Sequence, residues 1–190
     1  MSDFEFVSVI LAIVIGLGMT RVLSGLASVL EHRATLRPDW ISLTWAVTVL
    51  VWQILFWVGT VNSYRSRPVT FTVANFGLLL LAAVGLYFAA ALVLPSQIGP
   101  RTDLRQHYAA VRKPFFLVVL ALPLLELGDS LQHGFRHLLD LGPAYLVVQG
   151  FIILVCVRAL ATENRRTQGI IAVGFLGGIL AWLFTRLFVI

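Results

Sequence analysis

The sequence predicts an all-α polytopic membrane protein with six transmembrane helices. Three observations carry this prediction: 59% of the 190 residues are hydrophobic, only 12% are charged, and the apolar residues form long unbroken runs. An average soluble domain is roughly 45–50% apolar and about 25% charged, so this chain has too few polar residues to cover a surface in water. A soluble enzyme and a disordered chain are therefore excluded. The single cysteine, Cys156, also excludes a disulfide-rich secreted domain.

The first three spans are bounded by short polar turns. Residues 5–30 form one apolar segment, and the second span, 40–62, begins after the Arg37-Pro38-Asp39 turn. Polar residues at 65–68 separate it from the third span, at about 71–95. Each segment reaches the roughly 20 residues that a helix needs to cross about 30 Å of hydrocarbon. Prolines and charged residues are typical of the breaks between such segments.

The last three spans follow a longer polar stretch, residues 96–113. Gly142-Pro143 and the polar residues 163–166 mark the two turns between them. The segments are long unbroken apolar runs, unlike the short alternating strands of a transmembrane barrel. These three spans cover about 114–134, 143–162 and 168–190.

The polar stretch contains a segment with helical periodicity, at about 102–113. Thr102 is a suitable N-cap, and Leu104, Tyr108 and Val111 recur at the spacing of one helical face. The pattern predicts a short interfacial amphipathic helix on the cytoplasmic leaflet. Such a helix serves either as an anchor between spans or as a docking or regulatory element.

The distribution of basic residues predicts the orientation of the chain. Of the 14 Lys and Arg residues, two, Arg21 and Arg186, lie inside spans, and the others divide unequally between the two sides. Cytoplasmic loops carry the excess of basic residues, so both termini are predicted to lie outside. Because the basic residues are scattered over short loops, they do not form a nucleic-acid-binding surface. The nine on the cytoplasmic side are Arg33, Arg37, Arg101, Arg105, Arg112, Lys113, Arg158, Arg165 and Arg166, against Arg65, Arg67 and Arg136 opposite.

Small residues recur along several spans. Because lipid gives apolar helices no hydrophobic reason to associate, close packing between them depends on small side chains. We expect these stripes to form helix–helix contacts, either within one chain or between the copies of a homo-oligomer. They comprise Ser8, Ala12, Gly16, Thr20, Ser24 and Ser28 in the first span, where Gly18 and Gly25 widen the face, Gly85 and Ala89 in the third, and Gly174, Gly177, Gly178 and Ala181 in the last.

The two halves of the chain show some internal similarity. Aligning Pro38 with Pro143 places Arg21 opposite Glu126. Two halves of three spans each would have opposite orientations, which is the inverted-repeat plan of many secondary transporters. Apolar helices also align through composition alone, so a repeat and a chance similarity both stay open.

The aromatic residues favour an interfacial location. Trp and Tyr concentrate where a membrane meets water, and most of those in this chain lie near the ends of spans. Trp52 lies deeper and is predicted to pack between helices. The residues near span ends are Trp40, Trp45, Tyr64, Tyr145 and Trp182.

Ionisable residues inside the fourth span are the candidate functional site. A charge near the bilayer centre costs about 2.5–3.5 kcal/mol on insertion scales, so it must face protein or water. Counted from Pro114 at about 1.5 Å per residue, Glu126 lies roughly midway across the membrane. Steps of three and four residues place the whole series on one face of a helix. The series is Glu126, Asp129, His133, His137 and Asp140.

Three interpretations of this face stay open. In the first, Arg21 pairs with Glu126 and Arg186 with Asp129, and the pairs only fix the register of the helices. In the second, the face lines a water-accessible path on which carboxylates and imidazoles carry protons or bind a cation. In the third, Asp129, His133 and His137 bind a metal from one side of a helix. No HExxH or CxxC pattern supports that third interpretation, and no cofactor is predicted.

Five short motifs lie in roughly the first 120 residues: Phe4-Glu5-Phe6-Val7-Ser8-Val9, Gly16-Leu17-Gly18, Phe56-Trp57, Leu92-Val93-Leu94-Pro95 and Asp103-Leu104-Arg105-Gln106-His107-Tyr108. These motifs resemble those of a group of small multi-pass bacterial inner-membrane proteins with no assigned activity. The resemblance implies a bacterial plasma-membrane location and a similar helical bundle, and it implies no activity.

These patterns favour a small channel or transporter-like protein that moves a proton, an ion or a small solute. Glu126 and Asp129 would be the carrying carboxylates, with Arg21 and Arg186 as counter-charges and His133 as an outer relay. The alternative is a non-transporting scaffold, lipid-binding protein or accessory subunit whose ion pairs are structural. A membrane-embedded metal-dependent enzyme is a third option, and the sequence favours a protein that is not an enzyme.

Overall fold

Six α-helices make up the described part of the computed structural model, residues 3–66, 73–132 and 142–188, which contains no β-strand. Five of the helices are long and apolar enough to cross a membrane, and the apolar stretch of the fifth helix, Tyr145–Ala161, is shorter. The prediction of an all-α polytopic membrane fold is confirmed. The helices are α1 (Asp3–Glu31), α2 (Trp40–Ser66), α3 (Val73–Val93), α4 (Leu104–Gln132), α5 (Pro143–Ala161) and α6 (Arg165–Phe188).

Helix α4 differs from its predicted form. The segment expected to be a separate interfacial helix is the first part of α4, which continues through Pro114 and Pro123. Its apolar face does not lie on a membrane surface, because Leu104 and Tyr108 are buried against the bundle. Proline lacks a backbone N–H, and this favours a break in a helix. Side chains on both sides of Pro114 are buried, and their packing stabilises a continuous helix across the proline.

The helices form a ring in the order α1, α3, α4, α5, α6, α2, and α2 also packs against α3. Three connections meet at one end of this ring, which we call the connection end: residues 32–39, 94–103 and 162–164. The two halves of the chain pack differently, since α1 lies along α3, whereas α4 and α6 do not lie along each other in the described residues. The packing therefore gives no support to an inverted repeat.

An aromatic cluster joins α2, α4 and α6 in the core. The ring of Trp45 lies 5.3 Å from that of Phe115, 5.1 Å from that of Phe116 and 5.3 Å from that of Phe175, measured between centroids. The contacts with Phe115 and Phe116 are edge-to-face, a geometry that aromatic pairs prefer. Trp45 is buried, so its predicted place in an interfacial belt is wrong. Proximity to the end of a helix does not expose a side chain when another helix covers it.

The small residues divide into two groups. Gly18, Gly25 and Gly85 lie at packing contacts within the chain, where an added Cβ would come within 3 Å of a side chain from α2, from α4 or from Leu94 just after α3. The second group, Gly16, Gly174, Gly177 and Gly178, has open space at the corresponding position. Of these glycines, only those of the first group are packed against another part of the same chain.

Gly18 and Gly16 therefore form a matched test of packing. A Cβ at Gly18 would lie 2.1 Å from Nε2 of Gln53, whose amide is buried and donates to the Leu86 carbonyl oxygen at 3.3 Å. We expect Gly18→Ala to lower the free energy of unfolding by about 1–3 kcal/mol because the amide must move. Gly16→Ala should leave stability unchanged or raise it by up to about 1 kcal/mol, since alanine is the better helix former. Thermal unfolding in detergent measures both, and equal effects of the two substitutions would contradict the packing described.

Candidate functional site

Glu126 lies on a face of α4 that is otherwise buried. Leu122 and Ser130, one turn before and one turn after it on the same face, are 6% and 7% exposed. Glu126 itself is exposed. Neighbouring helices therefore cover this face of α4 at the turns before and after Glu126. At Glu126 itself the face stays accessible. Its carboxylate lies 12 residues beyond Pro114, or about 18 Å along the helix.

Arg21 is not the counter-charge of Glu126. Its guanidinium donates to the carbonyl oxygen of Leu94 at 3.1 Å, immediately after the end of α3. The side chain of Leu122 lies against Gly85, which fixes the register of α3 against α4. Leu94 is nine residues from Gly85 towards the connection end, and Glu126 is four residues from Leu122 in the other direction. About 20 Å along the helix axes separates the two levels, so Arg21 caps α3 instead.

The other predicted site residues lie outside the described part of the structure in whole or in part. Asp129 and Arg186 belong to α4 and α6, but their side chains are not described. His133 and His137 lie outside the described residues altogether. Among the described residues, no three His, Cys, Asp or Glu side chains meet as a metal site requires. The proposed metal ligands Asp129, His133 and His137 accordingly stay a prediction.

A polar cluster at the connection end was missed by the sequence analysis. Its members join α2, α4, α5 and α6, and each makes a hydrogen bond or ion pair with another element of the cluster. We call it the connection cluster. It consists of Asp39, Tyr108, Arg112, Thr162, Glu163, Arg165 and Gln168.

Arg112 is the centre of the connection cluster, and only 6% of it is exposed. Its Nη1 donates to the carbonyl oxygens of Ala159 at 2.6 Å, Leu160 at 3.3 Å and Thr162. Its Nη2 contacts Oε1 of Glu163 at 3.2 Å. The last carbonyl groups of a helix lack partners within that helix and carry its partial negative charge, so a cation is stabilised there. Arg112 thus attaches α4 to the end of α5.

Tyr108 and Gln168 add a second bridge one turn away. The Tyr108 hydroxyl donates to Oε1 of Gln168 at 2.7 Å. The Gln168 amide donates in turn to the carbonyl oxygens of Ala159 and Thr162, both at 2.8 Å. The amide oxygen and nitrogen of Gln168 are thereby both satisfied, as burial of a polar side chain requires.

Asp39 connects the start of α2 to the start of α6. Its Oδ2 accepts hydrogen bonds from the backbone N–H of Ser42 at 3.1 Å and from the Ser42 hydroxyl at 2.7 Å, which is the geometry of an N-cap. Its Oδ1 forms an ion pair with Arg165. Asp39, which the sequence places in a turn, is therefore buried and links α2 to α6.

Backbone hydrogen bonds tie two connections together beside this joint. The N–H of Arg37 donates to the Thr102 carbonyl at 2.9 Å, and the N–H of Leu104 donates to the Arg37 carbonyl at 3.1 Å. The exposed Arg37 side chain also lies 3.7 Å from the carboxylate of Asp103. Exposed pairs of this kind contribute about 0–1 kcal/mol, so the backbone pairing is the more important contact.

Comparisons with protein-family models, curated proteins and solved structures find no match.

The geometry itself separates the two sets of charges. The connection cluster uses its charged groups to cap helices and to join them, and this is a structural role. Glu126 is far from that cluster and is accessible on the inward face of α4. Glu126 is therefore an exposed acidic group within a candidate span that takes no part in the connection cluster.

Proposed function

We propose that this protein moves a proton or a small cation across a bacterial inner membrane along the face of α4 that contains Glu126. The supporting observation is the exposure of Glu126 between the buried Leu122 and Ser130. A carboxylate within a membrane span must face water or protein. An accessible carboxylate can accept and release a proton or bind a cation, whereas one sealed in a dry core cannot.

The proposed path continues along α4. Asp129 follows Glu126 by three residues within α4, and His133 follows it by seven in the sequence, outside the described residues. Arg186 of α6 is the proposed counter-charge on this path. The distribution of basic residues predicts a cytoplasmic connection end and outer termini, so the proposed path would run from Glu126 outwards through Asp129 and His133.

Ion flux into liposomes tests this proposal. Purified protein is reconstituted with a pH-sensitive dye inside the vesicles, and the acidification rate is measured under an imposed membrane potential. We expect Glu126→Gln to lower the rate at least about tenfold, because glutamine keeps the shape of the side chain and cannot carry a proton at neutral pH. Asp129→Asn should act in the same direction.

Glu31→Gln is the matched control, since Glu31 is exposed at the other end of the bundle. This variant should transport at the rate of the unmodified protein. Proton flux that is absent, or that survives Glu126→Gln and Asp129→Asn combined, would show that the carboxylates carry no protons. Repeating the assay with Na⁺ and K⁺ gradients distinguishes a proton path from a cation path.

The alternative function is a non-transporting scaffold or accessory subunit. The specific observation in its favour is the glycine face of α6, where Gly174, Gly177 and Gly178 have open space beside them. Small residues allow close approach of a second helix in lipid, so this face suits a homo-oligomer or a partner subunit. Native mass spectrometry that finds a stable oligomer, together with liposomes that show no flux, would favour the scaffold.

A further inference from the structure

A surface groove runs between the start of α2 and the first turns of α6. It has a volume of about 660 Å³ and is lined by Trp40, Arg166, Gly169, Ile170, Val173 and Gly174. Among the described residues that line the groove, Arg166 is the only charged one. The groove is remote from the α4 face of Glu126, and the proposed transport does not use it.

The groove exists because α6 has a glycine where α2 crosses it. A Cβ at Gly169 would lie 2.5 Å from Cη2 and 2.8 Å from Cζ2 of Trp40, so the indole rests directly on the helix backbone. Gly174 has open space at its Cβ position and leaves the floor of the groove free further along. The apolar side chains beside it stay exposed, with Ile170 at 73% and Val173 at 56%.

The lining residues follow one face of α6 from its polar end towards the hydrocarbon. Arg166, Ile170 and Val173 are separated by four and three residues, so they occupy successive turns. From Arg166 to Gly174 the groove extends eight residues, or about 12 Å. The order is one cation at the boundary of a candidate membrane span and only apolar surface below it.

Arg166 differs from its neighbour Arg165 in being available. Arg165 is paired with Asp39, and the nearby Glu163 is paired with Arg112. Arg166 is exposed, and no ion pair engages its guanidinium within the described residues. A cation beside an indole at the end of a span is the arrangement that favours an anionic lipid headgroup.

We propose that this groove binds one anionic phospholipid. Arg166 binds the headgroup phosphate, the ring of Trp40 covers the glycerol region, and one acyl chain lies along Ile170, Val173 and Gly174. Charge complementarity at one end of the groove and apolar lining over the rest of its length together match this ligand. A second copy of the chain would not require a lone cation at the boundary.

Native mass spectrometry of the detergent-solubilised protein tests the proposal. Phosphatidylglycerol and phosphatidylcholine with identical acyl chains are added, and bound lipids are counted for each. We expect the unmodified protein to prefer phosphatidylglycerol, and Arg166→Gln to reduce that preference about fivefold, as removal of one basic contact predicts. Arg105→Gln is the matched control, because Arg105 is an exposed arginine at the same end of the bundle; it should keep the preference.

Gly174→Leu tests the acyl-chain part of the groove. A Cβ at this position meets no atom within 4 Å, so we expect the fold to accept leucine and the new side chain to fill the floor of the groove. We expect binding of both lipids to fall while the preference between them is kept. The proposal is overturned if Arg166→Gln leaves the preference intact, if Arg105→Gln abolishes it equally, or if Gly174→Leu removes a protein dimer instead of a lipid.

Discussion

Replacement of Arg112 by methionine is expected to lower the free energy of unfolding by about 3 kcal/mol. Methionine fills a similar volume and donates no hydrogen bond, so the carbonyl of Leu160 and the carboxylate of Glu163 lose the donor that the structure gives them. A hydrogen bond to a charged group contributes about 1.5–3 kcal/mol. Gln168 still donates to the carbonyls of Ala159 and Thr162, which keeps the loss below the sum of four contacts.

Thermal unfolding in detergent, followed by the helical circular dichroism signal, measures this loss. Lys113→Met is the matched control because Lys113 is the adjacent cation and is exposed. Substitutions at exposed positions change stability by about 0.5 kcal/mol or less. Equal midpoints for Arg112→Met and Lys113→Met would contradict the central place of Arg112 in the connection cluster.

Replacement of Asp39 by alanine should lower stability by about 2–3 kcal/mol. Loss of an N-cap costs about 1 kcal/mol. The substitution also removes the carboxylate with which the Arg165 guanidinium forms an ion pair. Breaking a fully buried pair costs about 3–5 kcal/mol, but the Arg165 side chain is 32% exposed and can turn to water, so the cost here is smaller.

Asp39→Asn separates the two contributions, because asparagine caps a helix as well as aspartate does and carries no charge. We expect its midpoint to lie between those of the unmodified protein and Asp39→Ala. Once Asp39 is asparagine, Arg165→Gln should add little, which a double-mutant cycle reports as coupling between the two sites. Independent, additive effects of the two substitutions would rule out the ion pair as a stabilising contact.

Composition and apolar length were sufficient to predict the helices. Five of the six begin and end within about five residues of the predicted spans, because hydrocarbon thickness and backbone hydrogen bonding leave a spanning chain few alternatives. Helix α4 is the exception. Pro114 is a local signal for a break, and the local signal was overridden by burial of Phe115 and Phe116 against Trp45, which no sequence window contains.

The site was harder to predict for the same reason. Arg112 was counted as one of several basic loop residues, since its partners lie 47 to 51 residues later in the chain. The four-residue spacing of Leu104, Tyr108 and Arg112 was the available signal, because it puts Arg112 on the buried face of α4. Glu126, predicted as an intramembrane acid, lies in a helix that is long and apolar enough to cross a membrane, but its accessibility depends on how neighbouring helices cover α4. The depths of two residues along their spans do not show whether the residues lie close together, as the hydrogen bond of Arg21 to the Leu94 carbonyl illustrates.

The long separation between Arg112 and its acceptors has a consequence for biogenesis. The acceptors of Arg112 are synthesised 47 to 51 residues after it. At about 5–20 residues per second, the growing chain contains Arg112 for about 2–10 s before it contains them. The attachment of α4 to the end of α5 can therefore form only after residue 159 has been added, which makes this contact a late step in the assembly of the bundle.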